Sequence, residues 1–171
     1  MDNPRKEFSK IYDQLIDKIY RFIFLKVNSQ EIAEDLASET FLRVWEVYDK
    51  TRNNGDFEIP KIENPRAFLY RIARNLVTDY YRKKDKNPTI STEFVAITDP
   101  KENLEEKAQK DSDLYTIRQA MVNLKDDYQN VIIFHYLDDL PIKEVAEMLD
   151  KSEENTRVLL HRALKALKKN I

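Results

Sequence analysis

The chain has no cysteine, a single glycine and two histidines among 171 residues, and each scarcity excludes something. Without cysteine there are no disulfides, no thiolate metal sites and no thiol nucleophile; two histidines, His135 and His161, leave no histidine-rich metal site. One glycine and six prolines give little material for β-turns, and the apolar residues recur at intervals of three and four rather than two, so an all-α protein is expected. Long apolar runs are also missing. The longest, such as Phe22–Leu25 and Val131–Phe134, are far too short to span a bilayer, and the charged N-terminus lacks the apolar core of a signal peptide. A soluble, cytoplasmic protein without membrane insertion is expected. There is no Gly-rich phosphate loop, and no titratable pair has the spacing of a nucleophile and its base, so no enzyme, cofactor or small-molecule substrate is expected.

Charge of one sign is not in excess overall, with a net of −2, but it is segregated along the chain. Residues 1–60 carry 9 Lys/Arg against 12 Asp/Glu, residues 61–86 carry 8 against 3, and residues 87–113 carry 3 against 7. The remaining 58 residues balance at 9 against 9, with the basic ones gathered at the end. Phosphate attraction acts within about a Debye length, ~8–10 Å, so two basic patches separated by an acidic stretch matter more than the average.

Three amphipathic patterns fill the first half. Ile11, Leu15, Ile19, Phe22, Ile23 and Val27 form one apolar stripe; Ile32, Leu36, Phe41, Val44, Trp45 and Tyr48 form a second; Phe68, Leu69, Ile72, Ala73, Leu76 and Tyr80 form a third on a helix expected from Asn64 to about Lys84. The polar stretch Asp49 to Glu63 reads as a long loop, of a kind that is functional or disordered. From 87 to 110 turn signals (Asn87-Pro88, Asp99-Pro100), sparse apolar residues and acidity predict a flexible linker. A second domain, 111–171, opens with Leu114, Ile117, Met121 and Leu124 on one stripe and Tyr128, Val131, Ile132 and Tyr136 on another.

Leu140 to Lys169 reads as two helices joined by a tight turn. Pro141 suits a first helical turn, Ile142, Val145, Ala146 and Leu149 share a face, Asp150 and Lys151 break the pattern, and Ser152 is placed to cap a new helix from Glu153. On that helix Thr156, Leu160, Ala163, Leu164 and Leu167 lie on one side and Asn155, Val158, Arg162, Lys165 and Lys169 roughly opposite, with no acid between Arg157 and Lys169. A helix anchored on one side and basic on the other has the geometry that enters a major groove. On the Asn64–Lys84 helix the outer face carries Arg71, Arg74, Asn75, Thr78, Asp79, Tyr81 and Arg82, a mixture of phosphate-binding, base-reading and stacking groups that suits an opened strand. The second helix differs: Glu34, Asp35, Glu39 and Glu46 interleave with Arg43 and Ser38, a face for a protein partner rather than phosphate. From the residues alone, a stand-alone helix-turn-helix regulator of duplex DNA and an RNA-binding adaptor both stay open.

Three stretches taken together resemble the bacterial RNA polymerase sigma factors of the small, two-domain extracytoplasmic-function (ECF) group: Ala33 to Trp45 (AEDLASETFLRVW), Pro65 to Lys83 (PRAFLYRIARNLVTDYYRK), and Val145-Ala146-Glu147-Met148-Leu149 through His161-Arg162-Ala163. The resemblance implies two small helical domains, a region 2 bundle over 1–86 and a region 4 helix-turn-helix over 111–171, joined by the acidic linker 87–110. It implies core RNA polymerase as partner through the β′ clamp helices and the β flap, with Asp35, Ser38, Glu39 and Arg43 in contact. It further implies recognition of the −10 element and the melted strand, including a flipped base, by the 49–63 loop and by Arg71, Arg74, Asn75, Asp79 and Arg82. Reading of the −35 element would fall to Asn155, Arg157, Val158, His161, Arg162 and Lys165, the linker would run toward the polymerase active-site channel, and an anti-sigma factor would hold both DNA-binding domains. The chain departs from the pattern at Asp150, where relatives carry glycine, at Leu159, where many carry a basic residue, at Glu153 and Glu154 near the reading end, and in the length of the loop after Trp45.

Overall fold

The computed structural model describes residues 3–53, 62–86 and 104–171. They form seven α-helices: α1 (Pro4–Val27), α2 (Gln30–Asn53), α3 (Pro65–Lys86), α4 (Leu104–Met121), α5 (Asp126–Ile132), α6 (Ile142–Leu149) and α7 (Glu153–Lys169), with a π-helical turn, Ile133–Leu137, continuing α5. No strand occurs among the described residues, in keeping with the all-α expectation. The chain divides into two compact units, Met1–Thr92 and Glu93–Ile171.

In the first unit α1, α2 and α3 pack against one another around Ile19, Phe22, Ile23, Phe24, Val44, Leu69 and Tyr70, all fully buried. The edge-on contact of Phe22 with Tyr70, 5.6 Å between centroids, ties α1 to α3. Aromatic pairs of this kind add ~0.5–1.5 kcal/mol to the ~1.5–3 kcal/mol of burying each ring. The helix ends are set by short polar side chains. Asn3 accepts from the Arg5 N–H at 3.0 Å, Ser29 Oγ from the Ile32 N–H at 3.3 Å, and Asn64 Oδ1 from the Ala67 N–H at 3.1 Å, directly ahead of Pro65.

With glycine nearly absent, Asn and Asp supply the left-handed turns. Asn28, Asp139 and Asp150 have φ of 53°, 52° and 54°. These residue types tolerate this region best after glycine, because a short polar side chain can bond locally.

In the second unit α5 packs on α7, and α6 packs on both α7 and the π turn. Val131, Ile133, Phe134, Val145 and Ala163 are fully buried. His135 is structural: its Nδ1 lies 2.9 Å from the Leu140 carbonyl oxygen.

Three sequence expectations are corrected. The loop assigned to 49–63 begins later, since α2 continues to Asn53; Asp49 to Asn53 are polar but contain no helix breaker, so the sequence lets the helix run on. Residues 54–61 lie outside the described set. Tyr136, placed on an apolar stripe, is 51% exposed, because the i→i+5 bond from the Asp138 N–H to the Ile133 carbonyl (2.9 Å) marks one extra residue in the turn and shifts the helical phase of the residues around it. Pro141 is the N-cap of α6, with ψ 150°, rather than its first helical residue. In addition, α4 starts at Leu104, within the 87–110 stretch; residues 87–103 lie outside the described set.

Candidate nucleic-acid and protein-binding surfaces

The first surface is the outer side of α2. Its inner side is fixed by Ala33, Ala37, Phe41, Val44 and Tyr48, all buried, and by the buried Thr40, whose Oγ1 donates to the Leu36 carbonyl at 2.7 Å. At 3.6 residues per turn this leaves Asp35, Glu39, Leu42, Arg43 and Glu46 on one outward stripe with Ser38 at its edge. Asp35, Ser38 and Arg43 are exposed and Glu39 half-exposed. Arg43 pairs with Glu39 one turn earlier, an exposed pair worth only ~0.3–0.5 kcal/mol, so either group is available to a partner.

Sequence reasoning missed the centre of this stripe. Leu42 is 57% exposed, an apolar side chain ringed by charge, and between α1 and α2 a groove of about 410 Å³ is lined by Arg5, Phe8, Ser9, Tyr12 and Trp45. Trp45, assigned to the core, is half-buried: it packs on Phe8 at 5.1 Å and forms one wall of that groove. The signal that could have found Leu42 is its position, three residues after Glu39 and four before Glu46.

The second surface is the outer side of α3. With Leu69, Tyr70, Ala73, Leu76 and Val77 buried, Arg71, Asn75, Thr78, Asp79 and Arg82 form an exposed stripe, and Arg74 is half-buried at its edge. Thr78 Oγ1 donates to the Arg74 carbonyl at 2.9 Å, while Arg82 and Asp79 stand 3.9 Å apart with both side chains more than half exposed. Such a loose surface pair leaves the guanidinium open to an incoming phosphate. Tyr81, read as a stacking surface, has its hydroxyl engaged: it donates to the Lys26 carbonyl at the end of α1, which anchors the ring to the bundle. Its ring packs edge-on with Tyr80, and about a third of the residue stays exposed.

The third surface is α7, held by the turn that precedes it. Lys151 N–H bonds the Ala146 carbonyl at 3.0 Å and Asp150 N–H the Glu147 carbonyl at 3.3 Å, the paired closure of a Schellman motif with Asp150 in the position usually given to glycine. Ser152 then caps α7, accepting from the Asn155 N–H at 3.1 Å, and its carbonyl accepts from both the N–H and the Oγ1 of the buried Thr156. Thr156 and Ala163 face the core, while Asn155, Arg157, Val158, His161, Arg162 and Lys165 are all exposed on the outer side. Arg157 pairs with Glu153 at 3.4 Å on the flank. Along the basic side runs a groove of about 430 Å³, lined by Tyr128 and by Arg162, Lys165 and Lys169. Among the described residues no group of acidic and histidine side chains is arranged to hold a metal ion, and no helix is long and apolar enough to cross a membrane.

Comparison with known proteins places these helices in a family. Residues 11–87 match the Sigma-70 region 2 family and residues 114–167 the Sigma-70 region 4 family. The chain is 32% identical to the ECF RNA polymerase sigma factor SigW of Bacillus subtilis (strain 168), over 96% of this chain and 88% of that protein. It is 29% identical to SigM of the same organism, over 93% and 91%. Its fold is like that of the sigma factor RpoE from Bartonella quintana, solved in complex with the anti-sigma factor NepR, with a TM-score of 0.70, 20% identity and 96% of each chain covered. The chain belongs to the ECF sigma factors of RNA polymerase, non-enzymatic proteins that work with core RNA polymerase in promoter recognition and transcription initiation.

Proposed function

We propose how the surfaces divide this work. The α2 stripe of Asp35, Ser38, Glu39 and Arg43, with Leu42 at its centre, docks on the β′ clamp helices of core polymerase, and the second unit meets the β flap. A single observation carries this: an exposed leucine set among exposed charges, on a helix whose other side is fully buried, has the make-up of the centre and rim of a protein interface.

The α3 stripe of Arg71, Arg74, Asn75, Asp79 and Arg82, together with the 49–63 segment, takes the −10 element and the opened strand. Asn75 has the paired donor and acceptor that an unpaired base edge needs, and the arginines supply phosphate contacts. The outer side of α7, with Asn155, Arg157, Val158, His161, Arg162 and Lys165, reads the −35 element in the major groove. Residues 1–86 and 111–171 act as the two binding domains, and the acidic stretch between them runs toward the polymerase channel. The protein works in the cytoplasm. An anti-sigma factor holds it inactive, a reading supported by the complex in which its structural relative was solved.

The test is a pull-down of purified core RNA polymerase, followed by transcription from fragmented genomic DNA with and without the protein. Stable binding with new, discrete start sites is expected. Retention of duplex DNA without polymerase binding would overturn the assignment of the α2 face.

A further inference from the structure

The charged residues on the reading side of α7 are basic except at one position near its start. At 3.6 residues per turn Glu154, Val158, His161, Arg162 and Lys165 fall along one outward stripe, whereas Glu153 and Arg157 fall together on its flank and pair at 3.4 Å. Glu154 is exposed, and no hydrogen bond or ion pair among the described residues engages it. A carboxylate has no donor for phosphate and is repelled by it, so on a DNA-facing stripe it favours binding only where it meets a base donor. In the major groove the donors are the exocyclic amines, and the Glu pairing is with cytosine N4. One turn further on, Val158 is 44% exposed, an apolar side chain on an otherwise polar stripe, and the apolar feature of the groove is the thymine methyl.

We infer that Glu154 determines a cytosine preference in the duplex element read by α7, with Val158 packing on a thymine methyl nearby. The inference rests on the assignment of α7 to the −35 element. Four residues of helix rise about 6 Å and one base step about 3.4 Å, which puts the two bases about one or two pairs apart. Glu153 pairs with Arg157 on the flank, which leaves Glu154 as the acid on the stripe with no partner among the described residues.

The experiment uses holoenzyme reconstituted from this chain and core polymerase on a promoter library randomised through the −35 element, with bound sequences counted. Wild type is expected to favour cytosine at one position. Glu154→Ala lowers that preference about tenfold and leaves the other positions alone. Glu154→Gln, which keeps the shape and the cap of the helix, moves the favoured base to adenine, since an amide pairs with adenine N6 and N7. Val158→Ala weakens a neighbouring thymine preference. If Glu154→Ala strengthens binding to all sequences equally with every preference intact, the residue is only a repulsive charge and the inference fails while α7 keeps its role. If wild type itself shows no base preference in this element, the assignment of α7 fails, and the inference with it.

Discussion

The two units present their outer faces by different means. In the first, three helices of 24, 24 and 22 residues bury their inner sides along most of their length, so the stripes on α2 and α3 are fixed by packing. In the second, α6 has 8 residues and α7 has 17, and the angle of α7 is set by a turn with Asp150 at φ 54° and by the Ser152 cap. The difference teaches where each unit is vulnerable. A face held by a long packed helix is altered through its own side chains, whereas a face held by a turn is also altered through residues that never touch the ligand.

The largest effect is expected on α3. Asn75→Ala with Arg82→Ala removes a base-edge group and a phosphate contact from exposed positions, so the fold is kept and promoter opening falls about ten- to hundredfold. Permanganate footprinting of the melted strand measures this, with polymerase affinity unchanged. Unaltered reactivity would mean that this stripe does not hold the strand.

Next is Asp35→Arg, a reversal of charge on the α2 stripe. Affinity for core polymerase is expected to fall about tenfold at low salt, and the deficit to shrink as salt rises, as it does for charges at the edge of an interface. A salt-independent loss would point instead to damage within the bundle, and no loss at all would remove Asp35 from the docking surface.

Much of this architecture was legible in the sequence because helical periodicity reports which residues share a side. Leu15, Ile19, Phe22 and Ile23, or Leu69, Ala73 and Leu76, lie at their expected places, and so do the Ser152 cap and the break at Asp150. What was not legible depends on partners distant in sequence or on a change of period. The Tyr81 hydroxyl is bound by a carbonyl 55 residues away, which no local pattern contains. The run Val131-Ile132-Ile133-Phe134 is apolar without a period, so it hides the π turn that moves Tyr136 outward. Leu42 and Trp45 were obscured because apolar residues on α2 spread beyond a single stripe, and composition does not say which of them the bundle will cover.

A pair of cap substitutions sharpens the contrast. Ser152→Ala removes the acceptor for the Asn155 N–H, and Asn64→Ala the acceptor for the Ala67 N–H, each at about 1 kcal/mol of stability. Thermal unfolding checks the stability, and the readings of function should part. Ser152→Ala should lower affinity for the −35 duplex, because the end of α7 proposed to meet the bases frays. Asn64→Ala leaves promoter opening near its normal level, because Arg71 to Arg82 lie beyond the first turn of α3 and are held by Tyr70, Ala73 and Val77. Equal functional losses would show that both faces depend on their caps and that the contrast between the units is wrong.

The smallest effect comes from the turns themselves. A non-glycine residue in the left-handed region carries roughly 1 kcal/mol of strain, while glycine there brings a larger entropy loss on folding, so Asp150→Gly and Asn28→Gly should each raise stability by only a few tenths of a kcal/mol to about 1 kcal/mol. Their consequences diverge. Asn28 joins α1 to α2, whose packed inner sides already fix their relation, so Asn28→Gly should leave polymerase binding and promoter opening unchanged. Asp150, itself exposed, joins α6 to α7 through a short turn, and a freer residue there lets α7 sample more angles. Affinity for the −35 duplex should therefore fall severalfold in Asp150→Gly even as the melting temperature rises. A gain in both would mean that the Schellman closure from Lys151 to Ala146 holds the angle alone, and the vulnerability of the second unit would then lie in its helix cap rather than its turn.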